Sequence, residues 1–150
     1  MVTKIRAVSP ADRAPWQVLW DGYLVFYEAE LVADVTDSVF SRITLGDGLF
    51  GAIAWGDAGE ALGLVHWLYH PSTWSTSATC YLADLYVNPE VRGRGVGRDL
   101  IAHVRGAAEQ EGAHNVYWHT HESNVVARAL YDQLAQRTGH IEYEITRLRA

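Results

Sequence analysis

The residues best suited to chemistry are concentrated in one short stretch. Residues 91–98 read Val-Arg-Gly-Arg-Gly-Val-Gly-Arg, so Arg92, Arg94 and Arg98 are interleaved with Gly93, Gly95 and Gly97. Glycines let the backbone turn sharply and approach a bound group closely. Beyond them, Val96, Leu100, Ile101, Val104 and Ala108 recur at helical spacing, which predicts a helix over 96–111 that stops at Gly112. The turn therefore feeds a helix N-terminus, whose outward N–H groups and partial positive charge suit a diphosphate. Three guanidinium groups add fixed charge there. The chain as a whole has a formal charge of −6, so this cluster is a local exception that calls for an anion.

Three kinds of anion site compete for such a turn. A dinucleotide fingerprint needs G-x-G-x-x-G, but the third glycine position holds Arg98 counting from Gly93 and Leu100 counting from Gly95. A phosphate-binding P-loop needs a Gly-Lys pair, and the chain has none; Lys4 is its one lysine. A coenzyme A site is the reading that remains.

Here the sequence resembles a known family. Arg-Gly-Arg-Gly-Val-Gly at 92–97 resembles the pyrophosphate signature [RQ]-x-x-G-x-[GA] of the GNAT acetyltransferases. The preceding L-x-D-L-Y-V-x-P at 82–89 is similar to that family's fourth strand, and N-x-x-A-R-A-L-Y at 124–131 to its following helix. The run YWHTHESNVVARALYDQLA resembles the Hpa-type histone and polyamine acetyltransferases within that family. The resemblance implies an acyl-CoA N-acyltransferase fold and transfer of an acetyl group from acetyl-CoA to an amine. It implies that the backbone of Leu85 and Val87 holds the pantetheine arm and thioester, where the fourth strand bulges and splays from the fifth. It assigns Arg92, Gly93, Arg94, Gly95, Val96, Gly97 and Arg98 to the pyrophosphate, Asn124 to the pantetheine and Tyr131 to a place near the thioester sulfur. Related polyamine enzymes carry a Glu one position before Asp84, where this chain has Ala83.

The reaction so implied needs a neutral amine and a proton for the departing thiolate. An alkylamine of pKa ~10 arrives charged at neutral pH, so something must remove its proton. Asp84 lies in an otherwise apolar strand, where an unpaired carboxylate is costly. It is a candidate base, a binder of a cationic substrate, or a structural acceptor. Tyr131 is the candidate acid, against a plain packed aromatic. Glu28 and Glu30, with Asp34 and Asp37, are candidates to bind a cationic acceptor, against a solvated acidic face. His66 and His119 are weighed as proton relays against structural roles. The five histidines 66, 70, 114, 119 and 121 have no ligand-like spacing, so no metal is expected. Cys80 reads as a buried strand thiol rather than a nucleophile, and a lone cysteine excludes an internal disulfide.

These residues must be positioned by a mixed sheet. Strands are predicted at 3–8, 50–55, 61–69, 79–87 and 115–120, with a last one carrying Ile141, Tyr143 and Ile145. Helices are predicted from Ser9-Pro10 to about Leu31, from Thr36 or Asp37 onward, over 96–111, and from Ser123 or Asn124 to near Gly139. The order β–α–α–β–β–β–α–β–α–β implies an α/β (α+β) class, a mostly antiparallel sheet flanked by helices. At 150 residues, a single domain is expected.

Composition narrows the partners. An acidic chain is a poor generic nucleic-acid binder, so no nucleic-acid partner is expected. No apolar run reaches the ~18 residues of a membrane span, and MVTKIRAVSPADRA lacks the apolar core of a signal peptide, so a cytoplasmic protein without membrane attachment is expected. The acceptor expected is a small cationic amine, polyamine-like, or a Lys-bearing peptide. A homodimer through the aromatic-rich first helix and the terminal strand is a further expectation. The alternative of a different class is a CoA-binding sensor or interaction module without turnover.

Overall fold

A computed structural model describes residues 2–146 and 148. The chain divides into two compact units, Met1–His119 and Thr120–Ala150. The first holds β1 (Val2–Ala7), α1 (Arg13–Phe26), α2 (Ala33–Leu45), β2 (Phe50–Gly56), β3 (Ala61–His70), β4 (Thr79–Val87), α3 (Val96–Glu111) and β5 (Asn115–Tyr117). The second holds α4 (Val125–Leu134). No described helix is long and apolar enough to cross a membrane.

The strands stand in the order β1-β2-β3-β4-β5, antiparallel except for the parallel β4–β5 pair. Alternation along β3 sends its side chains to two cores. On one face Leu64 joins Ile53, Trp16, Leu19, Trp20, Phe40 and Ile43 under α1 and α2. On the other, Gly63 lies against Val96 and Leu100 of α3, and Trp67 meets His103 edge-on at 5.9 Å between ring centroids. Burial of large apolar groups on both faces is the main force holding the sheet, at ~25 cal/mol per Å² removed from water.

The entry to α1 is secured by one carboxylate. Asp12 accepts from the backbone N–H and the hydroxyl of Ser9 at 2.8 and 3.0 Å, and pairs in two-pronged fashion with Arg6 of β1 at 2.6 and 2.9 Å. The Arg6 guanidinium, followed by the Ser9 donors, outweighs burial and holds the Asp12 carboxyl down at about 2. A lowered folded pKa contributes stability above the ordinary value of 3.8 that is lost as pH falls through about 2. The Arg6 side chain is 37% exposed, so solvent screening discounts the pair. Asp12→Asn is expected to cost about 1–2 kcal/mol at neutral pH. Denaturant melts of both proteins should show the gap closing as pH falls from about 4 to about 2.

Several boundaries differ from the sequence pattern. The helical stripe continues to Leu31, yet α1 ends at Phe26, because Glu28 takes φ 52° and the N–H groups of Tyr27, Glu28 and Ala29 return to carbonyls of the last turn. α2 begins at Ala33, before Thr36 and Asp37: Thr36 is instead buried and accepts from Trp20 Nε1, and Asp37 pairs with Arg13. α4 ends at Leu134 rather than near Gly139. β5 stops at Tyr117, short of Thr120. The expected final strand is not formed: residues 135–146 have no strand, and Ile141, Tyr143 and Ile145 are exposed. Alternation makes a strand only where a neighbouring edge supplies ladder partners.

Candidate active site

β4 and the turn after it gather most of the predicted residues. β4 pairs with β3 along its length, but the register slips: His66 lies opposite Asp84 and Trp67 opposite Leu82, so Ala83 is an extra, bulged residue. On its other side β4 pairs with β5 only at Thr79, Cys80 and Tyr81. From Leu82 to Val87, therefore, no β5 ladder covers that edge. Leu85 and Val87 lie on this stretch, half-buried. An extended chain with amide groups could add itself along such an edge as a strand would.

After β4, Asn88 accepts from the Glu90 N–H and Pro89–Val91 makes one tight turn. Gly93 and Gly95 take φ 77° and 88°, a left-handed conformation that disfavours any residue with a Cβ. Gly95 caps α3, and the first intrahelical bond runs from the Asp99 N–H to the Gly95 carbonyl at 3.0 Å. The amides just before Asp99 therefore point out along the helix axis. A Cβ built on Gly93 or Gly95 would meet no atom within 4 Å, so the turn is an open cradle rather than one filled by the protein's own side chains. Val96 is buried against the sheet and anchors the cradle; Arg94 and Arg98 are exposed beside it. Arg92 differs from its neighbours. Its Nε–H donates to the Val87 carbonyl at 3.1 Å, and its guanidinium lies over Phe26 and Tyr86 at 5.6 and 5.7 Å, fastening the end of β4 to α1. Open space, left-handed glycines, helix N–H groups and arginines fit the diphosphate of coenzyme A.

Asp84 lies just after the bulge, on the face of the sheet under α1. His66 Nδ1 meets its Oδ2 at 3.0 Å, and the Tyr23 phenol stands near the same carboxylate. Burial, and then the Asp84 charge, push the Tyr23 phenol well above the ordinary tyrosine range, and the same two causes raise Tyr27. Tyr23 and Tyr27 are in ring contact at 4.7 Å. Tyr81, further along β4, contacts Tyr117 at 4.9 Å and His119 Nδ1 at 3.3 Å through its hydroxyl. Tyr23 and Tyr27 make an aromatic surround for one carboxylate, which favours an alkylammonium group through charge and ring quadrupole together.

Spacing alone did not single out these tyrosines. Trp16, Trp20, Tyr23 and Tyr27 recur every three or four residues and read as a core stripe; Trp16 and Trp20 are core, whereas the two tyrosines are half-buried. Glu28 and Glu30 are exposed just past α1. Cys80 is fully buried, and burial pushes its thiol up to about 11, which suits packing rather than attack. His70 bonds the Pro71 carbonyl and the Tyr117 hydroxyl, and His114 the Ser77 carbonyl and Thr79. Among the described residues no group of three or more His, Cys, Asp or Glu side chains converges as a metal site would. In the second unit Asn124 caps α4 and donates to the Thr120 hydroxyl, with Tyr131 two turns further along the same helix face.

Comparison with known proteins agrees with this geometry. The acetyltransferase (GNAT) family profile matches residues 12–135. The D-amino-acid N-acetyltransferase HPA3 of Saccharomyces cerevisiae is 34% identical over 142 residues, 93% of this chain and 88% of that protein. The thialysine N-epsilon-acetyltransferase of Sus scrofa is 37% identical over 75 residues, half of this chain and 42% of that one. Among solved structures, aminoglycoside N-acetyltransferase AAC(6')-Iy in complex with CoA superposes with a TM-score of 0.83 at 21% identity, over 97% of this chain and 95% of that one. With its cradle, its bulged fourth strand and these relatives, the chain belongs to the GNAT acetyltransferase family and is an acetyl-CoA-dependent N-acetyltransferase.

Proposed function

We propose that this enzyme acetylates the primary amine of a small cationic acceptor, polyamine-like or a Lys-bearing peptide, by direct attack on acetyl-CoA, with Asp84 receiving the acceptor. The observation that carries the reading is the Asp84 carboxylate, 22% exposed and bonded by His66, in contact with Tyr23 on the α1 face. Asp84 binds the ammonium and takes its proton at a carboxylate oxygen, directly or through one water. Acetyl-CoA supplies the acetyl group as an activated thioester. Leu85 and Val87 hold the pantetheine arm with their backbone groups, and Val87 N–H faces the developing negative charge. Residues 92–98 hold the diphosphate, Arg92 in addition to its structural contacts. Asn124 bonds the pantetheine, and the Tyr131 hydroxyl donates the proton that leaves with the thiolate. The Asn124–Tyr131 spacing and the family resemblance support those last two roles. Glu28 and Glu30 add negative charge on the approach to Asp84.

The D-amino-acid and thialysine enzymes are named for amines that also carry a carboxylate, and the aminoglycoside enzyme for a polycationic one, so the acceptor test includes both types. A thiol-release assay with spermidine, D-amino acids, thialysine, an aminoglycoside and a Lys peptide should show turnover with at least one polycationic acceptor at a kcat/KM well above that for the zwitterions. Preference for the amino acids would overturn the acceptor class. Silence on every amine, with tight CoA binding, would favour a sensor without turnover.

The match of the family profile across the boundary between the two units supports one functional domain. The exposed Ile141, Tyr143 and Ile145 support a homodimer in which this segment pairs with a second copy. Sedimentation should then give a dimer for the wild type and a monomer for the Ile141→Lys, Ile145→Lys double variant; two monomers would refute it.

A further inference from the structure

His66 is buried, 3% exposed, against the stacked indoles of Trp16 and Trp20, with ring centroids at 6.0 and 5.2 Å. Gly51 stands opposite it on β2, where an added Cβ would meet Ile43 Cγ2 at 2.7 Å and the His66 Cδ2 at 3.1 Å, so glycine leaves room for both side chains. Both ring nitrogens are engaged. Nε2 lies 3.0 Å from Trp16 Nε1, and Nδ1 lies 3.0 Å from Asp84 Oδ2. An indole N–H only donates, so Nε2 must offer its lone pair and the ring proton must sit on Nδ1. A second proton on Nε2 would set two donors face to face in a dry core, with Trp16 fully buried.

We propose that Trp16 and His66 form a positioning relay for the acceptor site. Trp16 holds His66 in its neutral, Nδ1-protonated form, and His66 then aims the Asp84 carboxylate while leaving its negative charge unspent. A cation in the same place would compete with the substrate ammonium for Asp84; a neutral donor does not. His66 touches no reacting atom in this arrangement, so it positions Asp84 and does not relay protons. The inference rests on Asp84 being the acceptor residue.

The test compares four variants of the full chain with the acceptor that gives turnover. His66→Phe keeps the ring volume and removes the donor, and should lower kcat/KM by about 10- to 100-fold. His66→Asn can place an amide N–H where Nδ1 stood, and should restore activity to within about fivefold of wild type. Trp16→Phe should lower kcat/KM about fivefold or more. Acetyl-CoA affinity should hold within about twofold in these three, which also shows that they fold. Long-range nitrogen NMR of the histidine-labelled wild type should show Nδ1 protonated and Nε2 bare, with that signature lost in Trp16→Phe. If Asp84→Asn has no effect, the acceptor-site reading itself fails. If Asp84→Asn is crippled while His66→Phe matches wild type, or if His66 carries its proton on Nε2, the relay alone is refuted.

Discussion

Gly95→Glu will weaken acetyl-CoA binding by more than about 100-fold. Two effects add. Gly95 sits at φ 88°, where a side chain costs about 1–3 kcal/mol or forces the turn to rearrange. The new carboxylate would also stand at the mouth of α3, against the diphosphate and in place of amides that attract it. Since a Cβ there meets no protein atom, the substitution has space and the fold should survive. Arg94→Ala should be milder, about 3- to 10-fold, because it removes one exposed charge from a set. Titration calorimetry with acetyl-CoA checks both, and a melt in its absence confirms that the variants fold.

Asp84→Asn should lower kcat/KM for a cationic acceptor by about 100- to 1000-fold, the range of a lost base, with acetyl-CoA affinity held within about threefold. The loss should depend on pH through the acceptor. An alkylamine of pKa ~10 needs a proton removed at pH 7 and much less help at pH 10. The gap between wild type and variant should therefore narrow as pH rises. A constant gap across that range would assign Asp84 a role independent of the acceptor's proton, such as a structural one. An absent gap would remove it from the site.

What the amino-acid pattern revealed tracks how local each cause is. The turn at 92–98 was legible because glycine φ, arginine charge and the start of α3 are all properties of neighbouring residues. Asp84 stood out as a carboxylate in an apolar strand, but its partner did not. His66 meets it across a hairpin whose register depends on the bulge at Ala83, and no short-range signal announces that bulge. Trp16 reaches His66 from fifty residues away, and on α1 it looked like any core indole. The end of α1 was overestimated because the apolar spacing runs on past Phe26 while the backbone reverses at Glu28. The missing terminal strand has the same origin: Ile141, Tyr143 and Ile145 alternate correctly, but a ladder needs a second edge that the pattern does not name.

The most direct test of the cradle compares two ligands on the unaltered protein. Acetyl-CoA carries the diphosphate, and S-acetylpantetheine carries the same thioester and amide arm without it. If residues 92–98 hold a diphosphate, calorimetry will show the fragment binding about 100-fold or more weakly, and Gly95→Glu will bring acetyl-CoA down to the fragment's affinity. Equal affinity of the two ligands for the wild type would contradict the account.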